Sequence, residues 1–276
     1  FGGRADLMRG RIRAVSAKNL ADDPVRILRA YRLAATHGWA IDGATRSDLR
    51  RLAPRLARCA PERIREEMLR LLGALRPGPA LEAADEDGVL RAAFGLRPRP
   101  GTRGLARRVG GFGPGLPLAE RTAGRMALLL RGLGLSARTA RRLLGRRKFS
   151  SAEARASAAR LDLLEGLEAG RCPEHLLFEI RRDRGPLLRF LRAAARVGDA
   201  DLRGRCRRIL SASRRLNWDP APVDGNDIAA WLGLPPGPIL GRALELARRR
   251  FFTGEWPDRK AIRSGLLEID RPSAVM

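Results

Sequence analysis

Apolar residues recur at helical spacing along most of this chain, and strand-like alternation is confined to its start. Ile64, Met68, Leu71 and Leu72 fall on one face behind Pro61, which predicts a helix over 62–74. A second helix is predicted over 24–37, with Asp22 or Asp23 as its cap, Pro24 in its first turn and Gly38 where a left-handed residue ends it. Thr45 is expected to cap a third, running to about residue 58, with Asp48 as a capping-box variant and Pro54 as a kink or split. Before these, Arg11-Ile12-Arg13-Ala14-Val15 alternates like an edge strand after a Gly2-Gly3 turn, so residues 1–15 read as the end of a sheet domain.

Arg76-Pro77-Gly78-Pro79 marks a break, followed by a predicted short helical hairpin over 80–96 that turns near Gly88. Residues 97–117, rich in Gly, Pro and Arg, read as a flexible loop. Helices are then expected at 119–132, 137–145, 151–170, 174–183, 186–197 and 201–216. A linker over 217–225 leads to a tail with helices at 226–232, 238–253 and 258–267. The fold class is mainly α. Low aromatic content (5%) and an apolar mass dominated by Leu and Ala agree with that.

Charge narrows the partner class. A net charge of +25 and a pI near 11.7 describe a surface that attracts polyanions, RNA or DNA above all. The Arg surplus over Lys also fits a GC-rich genome, but that does not explain the shortage of acids. Cys59, Cys172 and Cys206 lack CxxC spacing, and His37 and His175 stand alone, so neither a zinc site nor a His-Asp phosphohydrolase centre is encoded. Unpaired cysteines fit a reducing cytoplasm, and no apolar run of about 18 residues suggests a membrane span.

The segment Asp22-Asp23-Pro24-Val25-Arg26-Ile27-Leu28-Arg29-Ala30-Tyr31-Arg32 carries the most chemistry. It sets a carboxylate and a guanidinium at i, i+3 on one face of a first helical turn. Such a pair accepts from an exocyclic amine while donating to a ring nitrogen, which is the edge that cytosine and adenine present. Uracil and guanine place a carbonyl oxygen there instead. The same residues also read as an acidic helix cap with a solvated arginine face, a feature that stabilises a helix by about 1 kcal/mol. Arg29 and Arg32 suit phosphates. Tyr31 reads as core, with base stacking as the alternative. Acid-free cation runs at 138–148 (Arg138, Arg141, Arg142, Arg146, Arg147, Lys148) and 203–215 (including Arg207 and Arg208) are candidate RNA-backbone contacts, or plain solvated faces. Glu62 and Glu66 sit among arginines and read as a structural ion network. Trp218, Trp231, Trp256 and Phe251-Phe252 read as a small tail core.

Three pieces in order resemble a known family. Phe1-Gly2-Gly3-Arg4-Ala5-Asp6-Leu7 with Arg11-Ile12-Arg13 looks like the end of a nucleotidyltransferase head. The Asp22-to-Arg32 segment resembles that family's EDPxRxLRxxRF motif. Pro61-Glu62-Arg63-Ile64-Arg65-Glu66-Glu67 resembles its neck. Val223-Asp224-Gly225-Asn226-Asp227-Ile228 and Leu234-Pro235-Pro236-Gly237-Pro238 resemble its tail. The family is the class II tRNA CCA-adding nucleotidyltransferases with the bacterial poly(A) polymerases. The resemblance implies a head remnant (1–20) of an α/β nucleotidyltransferase domain, a neck (21–79), a helical body (80–216) and a helical tail (217–276). It also implies nucleotide-binding roles for Asp22, Asp23, Arg26 and Arg29, neck support from Glu62, Arg63 and Glu66, and RNA contacts from Arg32, the 138–148 run, Arg207 and Arg208.

The parent enzyme expected from this resemblance adds CMP and AMP from CTP and ATP to the tRNA 3′ end with Mg²⁺. The chain begins at Phe1, mid-motif, so it reads as a piece of a longer protein whose metal-binding DxD carboxylates lie upstream; no catalytic or metal-binding residue is assigned within it. Alternatives are a poly(A) polymerase of the same family, a non-catalytic helical RNA-binding protein and, more weakly, a basic DNA-binding protein without a helix-turn-helix pattern.

Overall fold

The computed structural model describes residues 2–97 and 104–269. Regular structure among the described residues is almost wholly helical, and the chain falls into two compact units, Phe1–Gly170 with Pro186–Cys206, and Arg171–Gly185 with Arg207–Met276.

In the first unit, α1 (Gly3–Met8) precedes a two-residue strand β1 (Arg11–Ile12), and α2 (Ala17–Asp22) leads into α3 (Val25–His37). β2 (Ala40–Ile41) comes next and pairs with β1 in parallel, Arg11 opposite Ala40 and Ile12 opposite Ile41. Gly2-Gly3 therefore opens a helix where a turn was expected, and the strand expected over 11–15 is only two residues long. α4 (Gly43–Leu52) is capped by Asp42, whose carboxylate accepts from the Thr45 N–H at 3.4 Å. Thr45 is not the cap: it is buried, and its hydroxyl accepts from the Ala14 N–H. Pro54 splits the expected long helix, because beyond α4 the chain tightens into a 3₁₀ helix over Ala53–Arg58.

α5 (Pro61–Gly73) buries Ile64, Met68, Leu71 and Leu72 completely, as its apolar stripe dictates, and packs against α3. α6 (Gly78–Glu86) and α7 (Val89–Phe94) form the expected hairpin, with Gly88 left-handed at φ 72°. The 97–117 loop is overturned in its described part: α8 (Leu105–Gly110) forms there, and Val109 and Phe112 are fully buried. Residues 98–103 of that expected loop lie outside the described residues. α9 (Leu118–Gly132), α10 (Ala137–Arg146) and α11 (Ser151–Glu168) complete a packed set, α11 with a full capping box between Ser150 and Glu153. Gly124 on α9 has to lack a side chain, since a Cβ there would stand 2.2 Å from the Phe112 ring.

Two buried polar hubs tie these helices together. Asp87, fully enclosed, accepts from the Tyr31 hydroxyl (2.6 Å), Arg46 Nε (2.7 Å) and Arg50 Nη2 (2.7 Å). Tyr31 is thus core, with its hydroxyl satisfied. Burial disfavours the Asp87 anion, but the hydrogen bonds from Arg46, Tyr31 and Arg50 outweigh it and hold the carboxyl below its ordinary value. A depressed folded-state pKa gives stability that is complete above the unfolded value, about 3.9, and lost as pH falls through the lower folded value. Asp87→Asn is expected to cost about 2 kcal/mol at neutral pH and to flatten the acid limb of the stability curve below about pH 4. Urea midpoints measured across pH check this. The second hub is Arg125 of α9, 2% exposed, whose guanidinium donates to the carbonyls of Phe112, Leu72, Ala74 and Gly110 at 3.1, 2.7, 2.6 and 3.5 Å. Burial pushes its pKa down to about 10.

The second unit begins with α12 (Pro173–Glu179) and a 3₁₀ turn (Arg181–Asp183). α13 (Arg184–Val197) and α14 (Ala200–Ala212) each have residues in both units. α15 (Gly225–Leu232), α16 (Pro238–Phe252) and α17 (Arg259–Ile269) enclose a small core of Val223, Ile228, Ala247, Phe251, Ile262 and Leu266, with Trp231 and Trp256 packed on it. Trp218 meets the Phe252 ring edge-on at 5.0 Å and donates its indole N–H to the Ser213 carbonyl. The tail aromatics are core, as the sequence suggested.

Candidate nucleotide-reading site

The site grows from a break between two helices. Ser16 caps α2 by accepting from the Asn19 N–H, and Pro24 stops α2 because the residue before a proline is pushed out of helical geometry. Asp23 accordingly turns extended (φ −134°, ψ 85°), while Pro24, at φ −64°, is pre-set to start α3. The helix expected over 24–37 forms as α3, a preceding helix that the sequence did not announce forms as α2, and the Asp23 carboxylate projects from the corner between them. Pro24 occupies the capping position, with no side-chain cap bond.

Freed from capping, Asp23 Oδ2 accepts from Arg63 Nη2 of α5 at 2.9 Å and lies 3.5 Å from Arg26 Nε. Asp23 Oδ1 is buried with no hydrogen-bond partner. The hydrogen bond from Arg63, aided by the charges of Arg63 and Arg26, holds the Asp23 carboxyl below its usual range. Asp23 is thereby kept anionic. Arg26 donates Nη1 to the Asn19 carbonyl at 2.9 Å, which fixes the guanidinium against α2 and leaves Nη2 free to donate.

Asp23, Arg26, Arg29, Arg63, Glu66 and Glu67 line one cleft of about 190 Å³. Arg29 is exposed at its edge, one turn beyond Arg26. Beneath the cleft, Arg32 donates Nε to Glu67 Oε2 at 2.7 Å, with both side chains largely enclosed. That pair clamps α3 to α5. It also commits Arg32 inside the neck, away from the open surface expected for an RNA contact. Asp22 is exposed at the end of α2 and does not line the cleft. Glu62 is exposed in the first turn of α5, where an anion favours the helix, and Glu66 lies 3.7 Å from Arg70.

Two structural residues escaped the sequence reading. Glu67 falls between Ile64, Met68 and Leu71 on the buried face of α5, and that helical phase could have distinguished it from Glu66. Glu153 receives a bidentate pair from Arg65 at 3.0 and 2.8 Å while capping α11, a pairing 88 residues apart that no local signal announces.

On α10, Arg138, Arg141, Arg142 and Arg146 share an exposed face, and none makes an ion pair among the described residues. Arg147 is half-buried, with its pKa lowered by desolvation. Lys148 is exposed and left-handed at φ 59°. Arg207 and Arg208 are exposed on α14 in the second unit.

Two Asp-x-Asp triplets do occur in the chain, and neither is free to bind a metal. Asp87 is the buried hub and Glu86 pairs with Arg46, while Asp199 accepts from the Leu202 N–H and Asp201 pairs with Arg205. Among the described residues no group of three or more His, Cys, Asp or Glu could hold a metal ion, so the side chains present do not fit the Mg²⁺ that the resemblance implies.

Residues 38–99 match the family described as "Probable RNA and SrmB- binding site of polymerase A". The chain is 33% identical to the CC-adding tRNA nucleotidyltransferase of Geobacter sulfurreducens over 92% of its own length and 65% of that protein. It is 30% identical to the CCA-adding enzyme of Geobacillus stearothermophilus, covering 98% of this chain and 67% of that one. Identity to the CC-adding enzyme of Thermus thermophilus is 31%, covering 95% and 70%. The crystal structure of the Bacillus stearothermophilus CCA-adding enzyme in complex with CTP superposes with a TM-score of 0.71 at 27% identity, over 98% of this chain and 68% of that one. A fold with this neck and these relatives places the chain in the tRNA nucleotidyltransferase family of CCA-adding and CC-adding enzymes, which the bacterial poly(A) polymerases share. It spans about two thirds of the length of relatives that it matches nearly end to end.

Proposed function

We propose that this chain is the base-reading and RNA-holding part of an enzyme that transfers CMP and AMP from CTP and ATP to the 3′ end of tRNA. The observation that carries the reading is the Asp23–Arg26 pair, held ready by Arg63 and Asn19 at one cleft. Asp23 offers an anionic oxygen to the exocyclic amine of cytosine or adenine, and Arg26 donates to the ring nitrogen beside it. Uracil or guanine would set a carbonyl oxygen against the carboxylate and a ring N–H against the guanidinium. Each mismatch forfeits roughly 1–3 kcal/mol. A fixed protein edge thus takes the place of a template base.

In this reading residues 1–20 close a catalytic head, 21–79 are the neck, 80–216 the body and 217–276 the tail. Arg29 faces the nucleotide, Glu62, Arg63 and Glu66 support the neck, and the α10 face with Arg207 and Arg208 contacts RNA phosphates. Metal binding and catalysis belong to carboxylates outside this chain, which alone would be inactive. Three free cysteines suit a cytoplasmic location.

The test is nucleotide incorporation by the protein expressed from its complete reading frame, on a tRNA lacking its 3′ terminus and with each NTP supplied separately. Use of CTP and then ATP is expected. Use of CTP alone would move the protein to the CC-adding enzymes, the second reading, which the names of the Geobacter and Thermus relatives favour. ATP-only tailing of unrelated RNA would place it with the poly(A) polymerases. No incorporation of any NTP would contradict the enzyme reading and leave a helical RNA-binding protein.

A further inference from the structure

Some arginines of the second unit are neutralised in place. Arg171 pairs with Glu179, Arg181 with Glu245, Arg250 with Glu255 and Arg259 with Asp227, while Arg184 lies over the Trp218 ring. Arg208 and Arg215 are among those that are not, and they share a cleft. Both are exposed, neither forms an ion pair among the described residues, and both line a single concave cleft of about 380 Å³. Ser211 stands between them, so Arg208, Ser211 and Arg215 succeed one another at i, i+3 and i+7 along α14 and the turn that continues it. Leu216 and Thr253 form part of the remaining wall.

The one acid in the cleft, Glu174, makes no ion pair with either arginine. Its carboxylate accepts a hydrogen bond from the Cys172 thiol at 2.8 Å. Two like charges that share a concave wall repel each other unless a counter-anion sits between them. Guanidinium forks with an intervening hydroxyl match the tetrahedral oxygens of a phosphate group in both charge and donor geometry. A carboxylate ligand would leave the third donor unused.

We infer that the Arg208–Ser211–Arg215 cleft is a phosphate seat in the second unit, separate from the nucleotide-reading cleft of the first. Two sources share this chemistry, a phosphodiester of the RNA backbone and free phosphate. The RNA source rests on the proposed reading of the protein; the seat itself does not.

The experiment compares wild type, Arg208→Gln/Arg215→Gln and Ser211→Tyr. The last keeps both cations on an exposed position but fills the cleft, so it separates a built seat from diffuse surface charge. Binding to tRNA is measured over a salt series, and inorganic phosphate is titrated calorimetrically at constant ionic strength. Both variants are expected to weaken tRNA binding about tenfold, and the double arginine variant to lower the salt slope by roughly 1. Phosphate heat is expected from wild type alone. Unchanged tRNA affinity with lost phosphate heat would keep the seat and assign it to free phosphate. Wild-type values for both variants in both assays would overturn it. If wild type bound no tRNA at all, the RNA reading would fail while the phosphate titration still decided the seat.

Discussion

Arg125→Met is expected to destabilise the protein by about 3 kcal/mol, a large loss for a polar residue. The guanidinium is enclosed and meets backbone carbonyls where a buried cation normally meets a carboxylate. Two of those carbonyls, Leu72 and Ala74, belong to the C-terminal end of α5, where the last helical carbonyls have no partner of their own and the dipole favours a cation. Methionine fills the stem's volume but leaves the Leu72, Ala74 and Phe112 oxygens buried without donors, at about 1–3 kcal/mol each. Removing the desolvated charge offsets part of that cost. Arg125→Lys is expected to fall between the two, since one ammonium cannot reach all the carbonyls. Urea denaturation checks this: the midpoint drops with an unchanged slope. A methionine variant as stable as wild type would mean that those carbonyls find other donors.

The same residue explains why part of the fold was not legible from the sequence. Residues 97–117 read as a loop because Gly, Pro and Arg dominate, yet Val109 and Phe112 anchor α8 through contacts with α9 and Arg125. Leu105, Val109, Phe112 and Leu116 do recur at i, i+4, i+7 and i+11, but the Gly, Pro and Arg around them masked that pattern, and the partners that bury Val109 and Phe112 lie elsewhere in the chain. Helix α5 was legible because four apolar residues repeat at 3.6 spacing over one continuous segment. At the start of the chain, the alternation from Arg11 to Val15 was real only for Arg11 and Ile12. The partner strand comes after α3, so its register is set by tertiary packing.

The candidate site shows the same division. The pairing of Asp23 with Arg26 follows from i, i+3 spacing and was readable. The role of Pro24 as a breaker was not, because a proline in a first turn and a proline between two helices look alike locally. The clamp of Arg63 on Asp23 spans 40 residues, and only the family resemblance pointed at Arg63. The Tyr31–Arg46–Arg50–Asp87 hub had no sequence signal beyond a tyrosine on an apolar face.

The central claim is that Asp23 and Arg26 choose the base, and their substitution carries the largest expected effect on activity. Asp23→Ala removes the acceptor for the exocyclic amine and also strips Arg63 and Arg26 of their counter-charge. Arg26→Ala removes the donor to the ring nitrogen and the tether to Asn19. With roughly 1–3 kcal/mol of discrimination in each base contact, either change is expected to cut the preference for CTP over UTP, and for ATP over GTP, by roughly 10–100-fold. Arg63→Ala, which supports Asp23 from behind, is expected to lower turnover while retaining more of the preference.

The decisive measurement is kcat/KM for all four NTPs on a 3′-truncated tRNA, with wild type, Asp23→Ala and Arg26→Ala expressed from the complete reading frame. The account predicts strong CTP and ATP preference in wild type and its collapse in both variants. Variants that slow equally with every NTP and keep the wild-type preference would contradict it, and base selection would then have to lie outside this neck.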